Sequence, residues 1–233
     1  MKQIAIWSDF ACPFCYIGEK RLQDAIEELG AKKKFNIIYK AFELDRNAPR
    51  ETTQTIPELI ARKYNLSLEE AKQRVADIDK AGNDAGLVFR YSSAPSSNTL
   101  DAHRLMKLAE NKYGNETALK LAEGLFEAYF TDNRRLSDHE VLMQVGVNAG
   151  MATEAISRVL NSNDYIEQVR HDENEAQKMG VTGVPFIVFD NRLAVPGAVS
   201  TEDFKKVVGE ILADEPVEKV DGAQSCTEEG CKI

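Results

Sequence analysis

Residues 4–15, IAIWSDFACPFC, constrain this chain more than any other stretch. Ile4, Ala5, Ile6, Trp7 and Phe10 form a short apolar run of the kind that makes a buried strand. Cys12 and Cys15 follow at once, with Pro13 and Phe14 between them. Behind them Ile17, Leu22, Ala25, Ile26 and Leu29 recur on one helical face as far as Gly30, a residue suited to end a helix. The pattern predicts a strand handing over to a helix, with Cys12 at the helix N-terminus. First-turn N–H groups and the positive end of the helix dipole favour an anion there. A thiol so placed is expected to ionise below the ordinary thiol pKa of about 8.5, and the thiolate is the nucleophilic form. Pro13 suits the first turn because it has no N–H to leave unpaired. Cys15 lies one turn deeper, so Cys12 is expected to attack and Cys15 to resolve the mixed disulfide.

A second stretch, residues 180–189 (GVTGVPFIVF), is a glycine-punctuated turn running into a buried strand. Pro185 can open a strand, and an X-Pro bond is the kind readily found cis, so a cis Val184–Pro185 bond facing the cysteines is expected. With these two stretches the chain resembles the thioredoxin superfamily, whose C-x-x-C and cis-proline loop meet in space. WSDFACPFCYIG early and GVTGVPFIVF late resemble the DsbA-like thiol–disulfide oxidoreductases, specifically the FrnE-type branch.

The 233 residues are 43% hydrophobic, enough for a sizeable core. The formal charge is −9 and the longest basic run is Lys32-Lys33-Lys34, which argues against nucleic acid or an anionic membrane surface as partner. No apolar leader segment follows Met1-Lys2 and no run approaches the ~20 apolar residues of a spanning helix, so a soluble, cytoplasmic protein is expected. In a reducing compartment, four cysteines are catalytic, sensing or metal-binding more often than structural.

In order, the chain reads strand–helix–strand through Phe35–Phe42, a polar loop, a long series of amphipathic helices, then helix–strand–strand–helix. Ser67, Ser137, Thr153 and Ser200 or Thr201 are the expected helix caps. The first and last parts together have the order of a thioredoxin fold. The expected architecture is therefore α/β: a mixed central sheet with a large all-helical insertion. Residues 1–50 and 163–214 would form the discontinuous thioredoxin-like domain and 51–162 the insertion. From Asp214 the sequence turns polar and irregular, predicting a flexible tail over 215–233 that carries Cys226 and Cys231. A C-terminal C-x4-C dithiol is what the FrnE-type resemblance implies, here as a second redox centre exchanging with Cys12 and Cys15.

Other residues divide between chemical and packing roles. Asn98, His103 and Arg104 resemble a helix start shared with 2-hydroxychromene-2-carboxylate isomerases and kappa-class glutathione transferases. A histidine on an amphipathic helix is nonetheless ordinarily a packing or hydrogen-bonded residue. His139 and His171 follow no metal-ligand spacing and are expected to face solvent. Trp7 and Phe186 read as core, and Phe14 as an apolar rim for substrate. The reading that results is a protein disulfide oxidoreductase or isomerase with Cys12 and Cys15 catalytic. Pro13, Phe14, Val184 and Pro185 shape its groove, and a substrate strand pairs with Val184. It implies no metal or organic cofactor, protein thiols and disulfides as partners, and glutathione or a thioredoxin-type protein as reductant. Two alternatives stand beside it. One is a glutathione-dependent transferase or isomerase, whose members usually carry serine in place of Cys12. The other is a zinc-stabilised binding protein using both cysteine pairs.

Overall fold

The strand-to-helix handover is realised as β1 (Lys2–Ser8) and α1 (Pro13–Glu28) in a computed structural model, which describes residues 1–214 and 224–232. β2 (Phe35–Ala41) returns parallel to β1, in register from Lys2 opposite Phe35 to Ser8 opposite Ala41. A parallel pair needs a crossover, and α1 supplies it. Residues of β2 alternate between buried and half-buried, as a strand with one face on the core should.

A run of helices follows β2: α2 (Ile56–Tyr64), α3 (Leu68–Asp84), α4 (Leu100–Lys112), α5 (Asn115–Phe130), α6 (His139–Asn148) and α7 (Thr153–Leu160). α8 (Ile166–Lys178) leads to β3 (Gly183–Val184), β4 (Phe186–Phe189), β5 (Leu193–Pro196) and α9 (Thr201–Ala213). The main sheet runs β2-β1-β4-β5, with β4 antiparallel to β1 and to β5. This is the mixed sheet with inserted helices that the sequence implies. Among the described residues no helix is long and apolar enough to cross a membrane.

Aromatic packing joins the inserted helices to α1. Tyr16 stacks on Phe126 of α5 with ring centroids 4.9 Å apart, and Phe89 stacks on Phe130 at 4.7 Å. A buried guanidinium makes a polar joint. Arg104 donates to Asp101 Oδ1 at 2.7 Å, to the Asp164 carbonyl at 2.8 Å, and to the carbonyls of Val159 and Ser162. Every arm of this charge is satisfied, which is what permits its burial.

Ser67 and Glu70 form a reciprocal capping box on α3, and Ser200 caps α9. Two expected caps are shifted by one residue. Asp138, not Ser137, accepts from the first turn of α6, because the Ser137 hydroxyl is turned to the Arg50 carbonyl. Ala152 occupies the cap position of α7 with no side-chain bond, and Thr153 begins the helix.

The C-terminal tail departs from expectation more sharply. Instead of a mobile segment, residues 224–232 form a hairpin of β6 (Ser225–Thr227) and β7 (Gly230–Lys232), closed by a Cys226–Cys231 disulfide. β6 pairs antiparallel with β3, Val184 opposite Cys226 and Gly183 opposite Thr227. The mobility expected for 215–223 lies outside the described residues.

Candidate active site

Cys12 is the N-cap of α1, with extended backbone (φ −90°, ψ 115°) and Pro13 in the first turn. Its sulfur accepts from the Cys15 N–H at 3.3 Å, so the helix start directs a donor at it. From the other side the Cys12 thiol donates to the Val184 carbonyl at 3.6 Å. The Val184–Pro185 bond is cis, as the sequence led one to expect. Residues 172 positions apart thus meet at one sulfur. Gly18 makes that approach possible: a Cβ there would press Pro185 Cγ and Ala198 Cβ, each at 3.2 Å.

Cys12 is 0% exposed and Cys15 2%. Burial of both thiols opposes the ready ionisation expected from the helix start. Burial, then hydrogen bonding to the Cys15 thiol, pushes the Cys12 thiol well up, against the lowering effect of the Cys15 N–H. Phe14 is likewise fully buried rather than forming an outward rim, because α1 turns it into the core. Trp7 is core, while Phe186 is half-buried against it with centroids 6.1 Å apart.

The backbone edge at Val184, expected to be free for a substrate strand, is occupied by the chain's own β6. Gln224 extends the contact, its carbonyl accepting from Ala198 N at 2.8 Å. The Tyr64 hydroxyl lies against Gly230, where a Cβ would overlap it, so α2 meets the far strand of the hairpin. A cavity of about 610 Å³ opens beside the hairpin, with Ile56, Ile60 and Tyr129 among its apolar walls. Arg62, Lys63 and Arg74 also line it. With Cys226 and Cys231 bonded to each other, the arrangement does not offer four thiolates for zinc.

Sequence reasoning missed the acids beneath this site. Asp9, three residues before Cys12, is buried; its carboxylate accepts from Ala11 N at 3.1 Å and Leu44 N at 2.7 Å, and its carbonyl from Cys12 N at 3.0 Å. It fixes the loop that presents Cys12. The available signal was an acid interrupting an otherwise apolar run. His103 packs on Phe10 with centroids 5.0 Å apart, its Nε2 3.7 Å from Asp9 Oδ1. Asn98 donates to the Ala48 carbonyl at 3.1 Å and accepts from Leu100 N, so it serves the backbone. Glu19, one turn beyond Cys15, is also buried, and burial pushes its carboxyl up to about 7. It accepts from the Tyr39 hydroxyl and from Gln23 Nε2 at 2.9 Å.

His171 is exposed as expected, and His139 is 39% exposed while bonded to Asp101. His171, Asp172 and Glu175 lie close enough together to suggest a cation site. Lys40 and Lys107 already neutralise Asp172, and Lys40 also bonds Glu175.

Known proteins place this geometry. A DsbA oxidoreductase of Streptomyces coelicolor, its assignment given as "probable", superimposes with a TM-score of 0.84 at 30% identity, covering 100% of this chain and 99% of that one. The cytosolic disulfide reductase DsbM of Pseudomonas aeruginosa, solved with glutathione, shares the fold at TM-score 0.59 and 14% identity over 91% of this chain and 99% of that one. The ClpXP adapter protein SpxH of Bacillus subtilis (strain 168) is 26% identical over 161 residues, 66% of this chain and 53% of the adapter, so the chain spans about half the length of that relative. The family model described as a DSBA-like thioredoxin domain matches residues 3–209, from the second residue of β1 into α9, and the chain belongs to that family.

Proposed function

We propose that this protein is a cytoplasmic thiol–disulfide oxidoreductase of the FrnE-type branch, acting on protein disulfides through Cys12 and Cys15. One observation carries the reading: the Cys12 sulfur sits between the Cys15 N–H in the first turn of α1 and the Val184 carbonyl that precedes the cis proline. Helix-start donors stabilise the thiolate once the site opens. The Cys12 thiolate attacks one sulfur of a substrate disulfide, and the other substrate sulfur leaves as a thiolate. Cys15, deprotonated, then attacks Cys12 Sγ and expels the second substrate sulfur. A Cys12–Cys15 disulfide forms as two electrons pass to the substrate, and running the steps backwards oxidises a dithiol instead.

The tail pair is a second redox centre in this reading. With its disulfide intact, Cys226 is attacked by Cys12 and Cys231 leaves; Cys15 then resolves the pair, leaving a reduced tail and an oxidised Cys12–Cys15. Glutathione or a thioredoxin-type protein returns the electrons. A glutathione-dependent isomerase is the weaker reading, because both Cys12 and Cys15 are present where such enzymes usually carry a serine in place of Cys12 and lack the second cysteine.

The test is a redox titration of the Cys12–Cys15 pair in glutathione buffers, run with an insulin reduction assay. A reversible two-electron transition and turnover that vanishes in Cys12→Ser are expected. Full turnover in Cys12→Ser would sink the reading. A Cys15→Ser variant should accumulate mixed disulfides, including one between Cys12 and the tail.

A further inference from the structure

The groove beside Cys12 is filled, and what fills it says what it accepts. β3 is two residues long, and its outer edge is where an extended partner would add a strand. β6 lies there, with its one fully buried residue, Cys226, opposite Val184. The Val184 carbonyl also receives the Cys12 thiol, so the hairpin sets a cysteine opposite the residue that meets Cys12. The fit is close on both sides. A Cβ on Gly183 would come within 2.8 Å of the Cys226 carbonyl, and one on Gly230, at φ +131°, would overlap the Tyr64 hydroxyl.

The residues after Cys226 are Thr227, Glu228 and Glu229. Glu228 lines the 610 Å³ cavity together with Arg46, Arg62, Lys63 and Arg74, and both glutamates attract Lys63. Arg46 is engaged by Glu173 at 2.6 Å, whereas exposed Lys63 faces Asp45 of the same cavity and the hairpin's own Glu228 and Glu229. A basic rim on a chain of net charge −9 is a selective feature, because the rest of the surface repels an acidic segment.

We propose that the 224–232 hairpin is a tethered pseudosubstrate, and that the groove takes in trans an extended segment whose cysteine is followed by acidic residues. This rests on the oxidoreductase reading for its purpose, but the binding preference is measurable without any chemistry. The docked hairpin and the partner compete for one edge, so releasing the hairpin must strengthen partner binding.

The experiment uses the full chain carrying Cys12→Ser and Cys15→Ser, in which the tail disulfide is the sole sulfur pair. Two fluorescent peptides are compared by anisotropy: S-C-T-E-E-G, its thiol alkylated, and the same peptide with Lys-Lys in place of Glu-Glu. The acidic peptide should bind at least ~5-fold more tightly at low salt, and Lys63→Glu should erase that preference. Gly230→Ala should tighten binding of the acidic peptide by ~10-fold or more and speed hydrogen exchange over residues 181–189. Tyr64→Ala, which removes the anchor from the other side, should do the same and serves if Gly230→Ala does not fold. Equal binding of the two peptides, preference for the basic one, occupation by glutathione alone, or affinity unmoved by both hairpin variants would overturn the proposal. Loss of disulfide turnover in the native chain would leave these results standing and bear on the catalytic reading alone.

Discussion

Cys12 and Cys15 stand at the start of a helix, held by backbone on both sides; Cys226 and Cys231 stand across a two-residue turn, held to each other. Both pairs are close in sequence, yet the settings differ in kind. Three residues apart at a helix start, the first pair is set so that the Cys15 N–H points at the Cys12 sulfur. Five apart in a hairpin, the second pair falls directly opposite in an antiparallel register. The first setting favours a thiolate once water reaches it, while the second favours a closed disulfide. Spacing selects which backbone a cysteine pair can live on, and the backbone then decides the chemistry. Cover does not separate them as cleanly: Cys12, Cys15 and Cys226 are buried, and Cys231 alone of the four is half-buried.

The largest effect expected is on turnover. Cys12→Ser should lower disulfide reduction by at least ~1,000-fold, whereas replacing both tail cysteines by serine should cost no more than a few-fold on a small substrate. Equal losses would erase the distinction between the pairs.

The next concerns Glu19, one turn behind Cys15. Burial holds its carboxyl at about 7 in the folded chain against an ordinary 4.5. The folded state therefore keeps a proton that the unfolded state has lost, so this group's contribution worsens as pH rises from 4.5 to 7 and is flat above. Glu19→Gln should match the native chain near pH 4.5 and exceed it by about 3 kcal/mol at pH 8, measured by urea unfolding. A constant difference across that range would remove the buried carboxyl from the account.

A third test reads the cover directly. Thiolate absorbance should titrate above the ordinary thiol range for Cys12 in the native chain, since burial dominates, and should move down in the Gly230→Ala variant. No movement would mean that something other than the hairpin sets the Cys12 environment. The smallest effect belongs to Tyr64→Phe, which removes the hydroxyl that lies against Gly230 and should cost about 1 kcal/mol of docking. Hydrogen exchange over 224–232 should quicken by ~5-fold, with turnover slightly raised.

Much of the scaffold is legible in the residues. The apolar run before Cys12, the helical recurrence after it and the proline opening β4 each have a local cause, so the strand–helix junction and the cis bond follow from short stretches. The fate of the tail is not legible for a physical reason. SCTEEGCK is polar and its strands are three residues each, so nothing local pays the ordering entropy. Its order comes from β3, an edge some 40 residues away that presents unpaired backbone. Phe14 fails similarly, because facing outward between two cysteines was a matter of analogy, while its burial is set by how α1 lies on the core. Asp9, Glu19 and His103 are buried polar groups whose partners come from distant elements, and a sequence pattern does not show a partner.

Trp7 is the chain's single tryptophan, and its position makes it a reporter. Its indole N–H donates to the Asp172 carbonyl at 3.0 Å and its ring edges Phe186, next to the cis proline. The emission therefore comes from the seam where β1 meets the returning α8 and β4, and from nowhere in α2–α7. Far-UV ellipticity, by contrast, comes from helices distributed over the whole chain. Followed together through a denaturant titration, the two signals would show whether the inserted helices melt with the sheet or apart from it, without a label on either.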